Sequence, residues 1–309
     1  MDHILVPVDL SEHSPVACRY AAELARRLHA RVSLLHVDEV QSLGFWNMEA
    51  LGDYLSRLDE LRKSRMEALG RLFSAVGLEY QSETASGRPD RAILHYAQNQ
   101  AVDLIVMARR GHAPLSRFFI GSTSENVSCR GNIPTILVPS DEHSAGRPAR
   151  PPGRILAPTD FSGSSMLGLE ATLHFADAIG ADVTLLHVVK FPGVFARTLR
   201  PSGSQLDKAQ ALVADASQEK LQQILDELGS DRLDFCVAAH ESVAEGIVTT
   251  ALEEEMDLIS MPTRGGTGLS DLFLGSTTKR VLHVSRLPVL VLPRDYLDGL
   301  EPEFDIEFE

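Results

Sequence analysis

The stretch ILVPVDLSEHS at residues 4–14 recurs as ILAPTDFSGSS at residues 155–165, a shift of 151 positions. In both places a short apolar run is followed by Asp and then by a polar segment rich in Ser. A short apolar run of this kind is typical of a buried β-strand, and Ser and Asp after it are typical of a loop that leads into a helix. The stretch therefore predicts a strand, a loop and a helix at the start of two similar halves.

Four further blocks recur in the same order, so the duplication extends through the whole half. They are LLHV, DLIVM with DLISM, GST, and PTILVP with PVLVLP, which begin at positions 34 and 185, 103 and 257, 121 and 275, and 134 and 288. Five blocks in one order indicate one ancestral domain that was duplicated. We predict domain 1 at 1–140, a linker at 141–153, domain 2 at 154–294 and an acidic tail at 295–309.

Each half alternates apolar runs with amphipathic helical patterns. The predicted strands are 3–8, 31–37, 79–85, 103–107 and 134–138, then 154–158, 182–188, 233–239, 257–261 and 288–292. Helices are predicted after the first strands, near 55–76, 89–100, 206–228 and 243–255, and from 121 and 275 onward. This alternation predicts an α/β fold: two tandem Rossmann-like five-stranded parallel-sheet sandwiches. The apolar fifth strands would be exposed edges, so we expect the halves to pack as a pseudo-dimer.

The composition excludes several classes of protein. With 43 acidic and 29 basic residues the net charge is −14, which argues against nucleic acid and anionic membranes as partners. Neither a leader segment nor a long apolar run occurs, so a cytoplasmic protein is expected. The three cysteines lack a CxxC pair, which argues against a thiolate zinc site. Seven acids and no base lie in the tail, as a solvated segment or a docking segment.

The repeated GST blocks carry the main functional signal. Each follows a predicted fourth strand and a loop, and begins a predicted helix. Backbone N–H groups at a helix N-terminus bind phosphate, and Gly allows a close approach. The alternative is that Ser or Thr caps the helix and does nothing more. Because the block occurs twice, each time ten residues after another Gly, phosphate binding is favoured.

The whole layout resembles the universal stress protein family in its tandem form. Nucleotide-binding members carry G-x2-G-x9-G-[ST] after strand 4, and here Ala108 and Pro262 stand at the first Gly position of the two copies. The resemblance implies a nucleotide site in each half, formed in copy 1 by Pro7, Val8, Asp9, Val37, Met107, Ala108, Arg109, Gly111, Gly121, Ser122 and Thr123. In copy 2 the implied residues are Pro158, Thr159, Asp160, Val188, Met261, Gly265, Gly275, Ser276 and Thr277.

Roles follow from the same resemblance. The two Asp residues would hold the ribose or adenine end, the backbones of Val37 and Val188 would meet adenine, and the Gly loops would wrap the phosphates. Pro262 has no N–H to donate, so copy 2 is expected to bind less tightly.

Three function classes stay open at this point. The favoured one is a stress-response regulator that binds ATP or AMP, with Mg²⁺ as a candidate accompanying ion, and is not a fast enzyme. The alternatives are a slow ATPase or other ATP-using enzyme, and a nucleotide-free adaptor. Neither phosphate loop contains Lys or paired acids, which disfavours catalysis of phosphoryl transfer. The resemblance also implies a homodimer of tandem chains and an unidentified protein partner. His36 and His187, which recur in LLHV, are interpreted as structural residues and not as metal ligands.

Overall fold

The computed structural model describes residues 1–39, 48–110, 120–139, 151–190, 203–263 and 274–300, with the backbone alone at 48–55 and 203–211. The chain divides into two compact units, which we call unit 1 (Met1–Pro151) and unit 2 (Pro152–Glu309). The predicted linker residues 141–150, most of the tail, Gly111 and Gly265 lie outside the described residues. Among the described helices none is long and apolar enough to cross a bilayer.

The described residues of unit 1 form five strands and four helices. They are β1 His3–Val8, α1 Ser14–Leu28, β2 Arg31–Asp38, α2 Met48–Ser74, β3 Tyr80–Ser86, α3 Pro89–Asn99, β4 Leu104–Ala108, α4 Ser122–Arg130 and β5 Thr135–Val138. All pairs of neighbouring strands are parallel and their order is β3-β2-β1-β4-β5. Helix α1 packs on α2, and α3 packs on α4. The predicted α/β class and the parallel sheet are therefore confirmed for this half.

Unit 2 repeats the pattern and adds one short helix. Its elements are β6 Arg154–Thr159, α5 Gly163–Ile179, β7 Asp182–Lys190, α6 Gly203–Leu228, β8 Leu233–His240, α7 Val243–Glu253, β9 Leu258–Pro262, α8 Ser276–Val284, β10 Val289–Leu292 and α9 Arg294–Leu297. The parallel order β8-β7-β6-β9-β10 matches that of unit 1. The sequence did not indicate α9, which contacts α5 and buries Leu297 to 2% exposure.

An Asp fastens the start of the first strand in each unit. The Asp103 Oδ2 atom accepts hydrogen bonds from the N–H groups of Asp2 at 2.6 Å and His3 at 3.0 Å. In unit 2 the Asp257 Oδ2 atom accepts from Gly153 at 2.9 Å and Arg154 at 3.1 Å. Both Asp residues come just before the fourth strand of their unit. Each unit therefore uses its own carboxylate to link the first strand to the fourth, at the end of the sheet opposite the candidate site.

Burial also suppresses the reactivity of one thiol. Cys18 lies in α1 with no exposed surface, and burial raises the pKa of its thiol to about 12. Thiolate is the nucleophilic form, so this residue serves as packing.

We expect His3 to make the stability of unit 1 sensitive to acid. Its ring is 2% exposed, Nδ1 donates to the Gln100 carbonyl at 3.0 Å, and Nε2 accepts from the Ser33 hydroxyl at 2.8 Å. Burial lowers the pKa of His3 below its usual value of 6.5. The unfolded chain therefore binds the extra proton first, and stability falls as pH drops from about 6.5 through the folded pKa.

Urea unfolding of the wild type and His3→Gln at pH 7.5 and pH 5 tests this expectation. The wild type should lose more free energy of unfolding between the two pH values than the variant does. Equal losses would show that His3 is not responsible. Unit 2 has Arg154 at the matching place, so its unfolding should not carry this component.

Candidate nucleotide site

The site in unit 1 begins where two central strands separate. Pairing between β1 and β4 runs from Ile4–Leu104 to Leu5–Ile105 and stops there, although both strands continue for three more residues. Pro7 explains the stop, because it has no N–H for the next bond of the ladder. The strand order reverses between β1 and β4, and ligands bind at such switch points in parallel α/β sheets. A crevice with unpaired strand edges therefore lies at the carboxyl end of the sheet.

Unit 2 has the same crevice with the same cause. Pairing between β6 and β9 ends at Leu156–Ile259, and Pro158 occupies the position that matches Pro7. A proline in a central strand costs a hydrogen bond and is normally confined to strand edges. Because both units keep a proline in a central strand in spite of this cost, the break in the pairing of the central strands indicates a functional role. Both prolines were expected at the site only through the family resemblance, and the broken ladder was not predicted from the sequence.

The directions of the backbone N–H groups distinguish the two crevices. The N–H groups of Ile105 and Arg109 donate to β5, at Pro134 and Val138. Since N–H groups alternate in direction along a strand, that of Ala108 points towards β1 and the crevice. In unit 2, Ile259 and Thr263 donate to β10 in the same way. The matching crevice donor is missing there because the residue is Pro262.

The two Asp residues that follow the first strands are held in matching turns. Asp9 Oδ1 accepts from the Ser11 N–H at 3.0 Å and from the Ser14 hydroxyl at 3.0 Å. Asp160 Oδ1 accepts from the Ser162 N–H at 3.1 Å and from its hydroxyl at 2.5 Å. Each carboxylate thus folds back over its own loop. The residue after each Asp, Leu10 or Phe161, has a φ of 61°, which is uncommon for residues other than Gly.

Two histidines hold the carbonyl groups that precede the Asp residues. His36 Nδ1 donates to the Val8 carbonyl at 2.9 Å, and His187 Nδ1 donates to the Thr159 carbonyl at 2.9 Å. The contacts fix the last peptide of the first strand against the second strand. The recurrence of His in LLHV is visible in the sequence, but its carbonyl partner is not. No group of three or more metal-ligating side chains occurs in the part of the chain that the structure describes.

The helix that follows the fourth strand begins in the same way in both units. Gly121 and Gly275 are the N-cap residues, and their N–H groups donate to the carbonyls of Arg109 at 2.9 Å and Thr263 at 2.7 Å. The helices begin one residue later than predicted, at Ser122 and Ser276. Because Gly is the N-cap residue of both helices, the Ser and Thr residues of the GST blocks lie in the first helical turn and are not the N-caps that the alternative interpretation required.

Hydroxyl groups in the first turn attach each helix to its strand. The Ser124 hydroxyl donates to the Ala108 carbonyl at 3.0 Å, and the Thr278 hydroxyl donates to the Pro262 carbonyl at 3.0 Å. This pair was not predicted from the sequence, although aligning the two copies places Ser124 opposite Thr278. The first bonds of the two helices run from the Glu125 N–H to the Gly121 carbonyl and from the Lys279 N–H to the Gly275 carbonyl, so the N–H groups of residues 122–124 and 276–278 precede the helical ladder. Ser122 and Ser276 are exposed beside them, which leaves the turn open to an anion.

Glycine at the N-cap is not required by backbone conformation. Gly121 has a φ of −63°, and a Cβ built on it would lie 3.5 Å from the Arg109 carbonyl oxygen, an ordinary contact. The absence of a side chain therefore matters for what approaches the helix and not for how the helix begins.

The remaining predicted residues are largely buried. Met107 and Met261 are both 5% exposed, and Arg109 is 2% exposed, so its guanidinium is not displayed at the surface. Val188 is 7% exposed and packs closely on α7, where a Cβ added to Gly246 would lie 2.8 Å from its Cγ1. A ligand at the end of β7 would therefore meet the backbone of Val188 more than its side chain.

Comparison with known proteins agrees with this arrangement. The sequence profile described as "Universal stress protein family" matches residues 1–139 and 152–293. A universal stress protein of Mycolicibacterium smegmatis is 24% identical over 298 residues, which cover 94% of this chain and 96% of that protein. A universal stress protein structure from Archaeoglobus fulgidus covers 94% of this chain and 98% of its own, with 20% identity and a TM-score of 0.64.

One solved relative contains an adenine nucleotide. A universal stress protein in complex with cAMP covers 45% of this chain and 98% of its own, with 19% identity and a TM-score of 0.36.

Two parallel sheets, each interrupted at its switch point, define this chain as a tandem protein of the doubly wound α/β class. The family match extends over both units. The chain belongs to the universal stress protein family, in its tandem form.

Proposed function

We propose that this protein binds an adenine nucleotide, ATP or AMP, and acts as a stress-response regulator and not as a fast enzyme. The observation that carries the proposal is the crevice that Pro7 opens between β1 and β4, with the α4 N-terminus beside it. The crevice offers unpaired backbone groups of the two strands, and the helix offers N–H groups to phosphate. The duplication of this arrangement in unit 2 supports a use for it beyond folding.

The test of binding is to look for nucleotide that survives purification. Heat denaturation of the purified chain should release ATP or AMP, which mass spectrometry of the supernatant identifies. Calorimetric titration of the nucleotide-free protein should then show binding. A chain that neither retains nor binds nucleotide would favour the nucleotide-free adaptor instead.

We expect ATP turnover to be absent or very slow. Phosphoryl transfer needs charge clamps and a group that orients the nucleophile. Residues 108–123 and 262–277 contain no Lys. One carboxylate oxygen of Asp9 already accepts hydrogen bonds from Ser11 and Ser14 of its own loop. Phosphate release with ATP and Mg²⁺ should therefore lie far below the enzyme median of ~10 s⁻¹. A rate near that median, abolished by Asp9→Ala, would establish the enzyme alternative.

The resemblance supplies further proposals about partners. We propose that Mg²⁺ accompanies a triphosphate, that two tandem chains form a homodimer, that an unidentified protein receives the signal, and that the protein works in the cytoplasm. The packing of the two halves as a pseudo-dimer likewise stays a prediction.

A further inference from the structure

The turn that contains Asp9 is contacted by the long helix α2. The Arg65 Nη1 atom of this helix donates a hydrogen bond to the Leu10 carbonyl at 3.2 Å. Leu10 has a φ of 61°, a backbone conformation that is unfavourable for a residue with a Cβ. The bond from Arg65 therefore holds the turn at its strained residue, directly after Asp9.

A second arginine of α2 reaches the peptide group on the other side of Asp9 through two further residues. Arg62 Nη2 lies 2.9 Å from Asp38 Oδ1, and His36 Nε2 lies 3.3 Å from the same oxygen. The His36 Nδ1 atom in turn donates to the Val8 carbonyl at 2.9 Å. This chain of contacts links Arg62 to the carbonyl group that precedes Asp9.

Both arginines act from one side of α2, because residues three apart in sequence are neighbours on the surface of a helix. The helix itself is anchored in unit 1 by side chains that are at most 7% exposed, at Met66, Leu69 and Phe73. A single exposed ion pair contributes little to stability. The contacts matter instead for where they hold the turn, since they fix the peptide groups before and after Asp9 to one anchored helix.

The charged residues of this arrangement have no counterpart in unit 2. The Asp38 position, directly after the repeated LLHV, is occupied there by Val189. At the repeat's shifts of 151 and 154, the residues that match Arg62 are Val213 and Ala216, and those that match Arg65 are Ala216 and Glu219. Because none of these residues is basic, the pair of arginines distinguishes unit 1 from unit 2.

We propose that Arg62 and Arg65 are positioning residues, which hold the Asp9 turn of unit 1 in the conformation that receives the ribose or adenine end of the nucleotide. The inference rests on the proposed function, because it concerns the same site. A turn that is already held loses less conformational entropy when a ligand binds than a turn that has to be ordered first. Removing either arginine should therefore weaken nucleotide binding at unit 1.

Calorimetric titration of the full chain with ATP tests the inference. It is carried out in a Gly275→Asp background, in which a carboxylate at the α8 N-cap removes binding at unit 2. Arg65→Met keeps an unbranched side chain, removes the donor, and should weaken ATP binding about 5-fold, which corresponds to about 1 kcal/mol. Arg62→Met should act in the same direction. Lys63→Met is the matched control, because it removes the same charge from an exposed position of the same helix, and it should leave the affinity almost unchanged.

Two further measurements separate positioning from a general effect on the fold. In an Asp9→Ala background, Arg65→Met should have little effect on ATP binding, because the arginine acts through the turn. Inorganic tripolyphosphate should bind Arg65→Met and the parent chain equally, because the turn is assigned to the other end of the nucleotide. Thermal unfolding checks that each variant remains folded. Additive losses in the double variant, or an equal loss for tripolyphosphate, would overturn the inference.

The state of the turn can also be measured without nucleotide. The Ser11 N–H donates to Asp9 Oδ1 at 3.0 Å, so its hydrogen exchange, followed by NMR, reports whether the turn is formed. Arg65→Met should accelerate this exchange about 5-fold, by the same free energy as above, and Lys63→Met should not. Equal exchange in the two variants would refute the positioning role, whatever the protein binds.

Failure of the inference and failure of the proposed function give different results. If the wild type binds no nucleotide at either unit, the proposed function fails, and the positioning role fails with it. If the wild type binds nucleotide and Arg65→Met behaves like Lys63→Met, only the role of the arginines is refuted.

Discussion

Gly121→Asp should abolish the tighter of two nucleotide sites and leave the weaker one. The substitution places a carboxylate at the N-cap, beside the N–H groups that would receive phosphate. Repulsion between the carboxylate and the phosphates should remove binding at unit 1. The fold should survive, because Gly121 has a φ of −63° and room for a Cβ, and Asp is a favoured N-cap residue.

Calorimetric titration with ATP measures the outcome, with Gly275→Asp as the matched control. The control should remove only the weaker site, because Gly275 has the same place in unit 2. If Gly275→Asp removes the tight site and Gly121→Asp leaves it intact, the order of the two units is reversed.

The second large effect should come from the residue at the end of the fourth strand. Ala108 directs an N–H towards the crevice, and Pro262 has none to direct. A hydrogen bond to a charged group contributes about 1.5–3 kcal/mol, so unit 1 should bind roughly 10- to 150-fold more tightly than unit 2. Pro262→Ala should restore the donor and tighten unit 2 by a similar factor.

A glycine in the facing helix allows the proline to be replaced without leaving a cavity. A Cβ on Gly168 of α5 would lie 3.4 Å from Pro262 Cδ, so the proline ring packs on the glycine. Unit 1 has Ala17 at the place of Gly168 and Ala108 at the place of Pro262. The pair Gly168→Ala with Pro262→Ala therefore reproduces unit 1 without leaving a cavity.

Calorimetry on this double variant should show a tighter unit 2 site. The reciprocal pair Ala17→Gly with Ala108→Pro should weaken unit 1 while keeping the protein folded. Equal affinities before and after both exchanges would mean that no crevice N–H contacts the nucleotide.

Much of the architecture could be predicted because the spacing of apolar residues and the internal repeat both extend over whole strands and helices. All ten strands were expected within two residues of where they lie, and the GST blocks were expected at helix starts. The predicted ends of helices were less accurate where the local sequence has a low helix propensity. Helix α2 begins at Met48 and not near 55, since Gly52 and Asp53 are weak helix formers that obscure its first turns.

The site was harder to predict because its important features depend on register and on unusual backbone. That Pro7 interrupts a ladder requires knowing that β1 lies between β2 and β4 and how the strands align. A φ of 61° at Leu10 and Phe161 contradicts the preference of those residues, so no propensity reveals it. The recurrence of His in LLHV was visible, but its partner is a carbonyl, which leaves no mark on the sequence.

The carboxylates of Asp103 and Asp257 bear on how such a gene can be rearranged. Each fastens the first strand of its own half to the fourth strand of the same half. Neither half borrows this fastening from the other. A duplicated gene of this kind encodes both links. If the gene is split between 140 and 151, or if either half is fused to an unrelated reading frame, each product keeps the link between its first and fourth strands. Recombination can therefore produce both single-unit and tandem proteins from one ancestral domain.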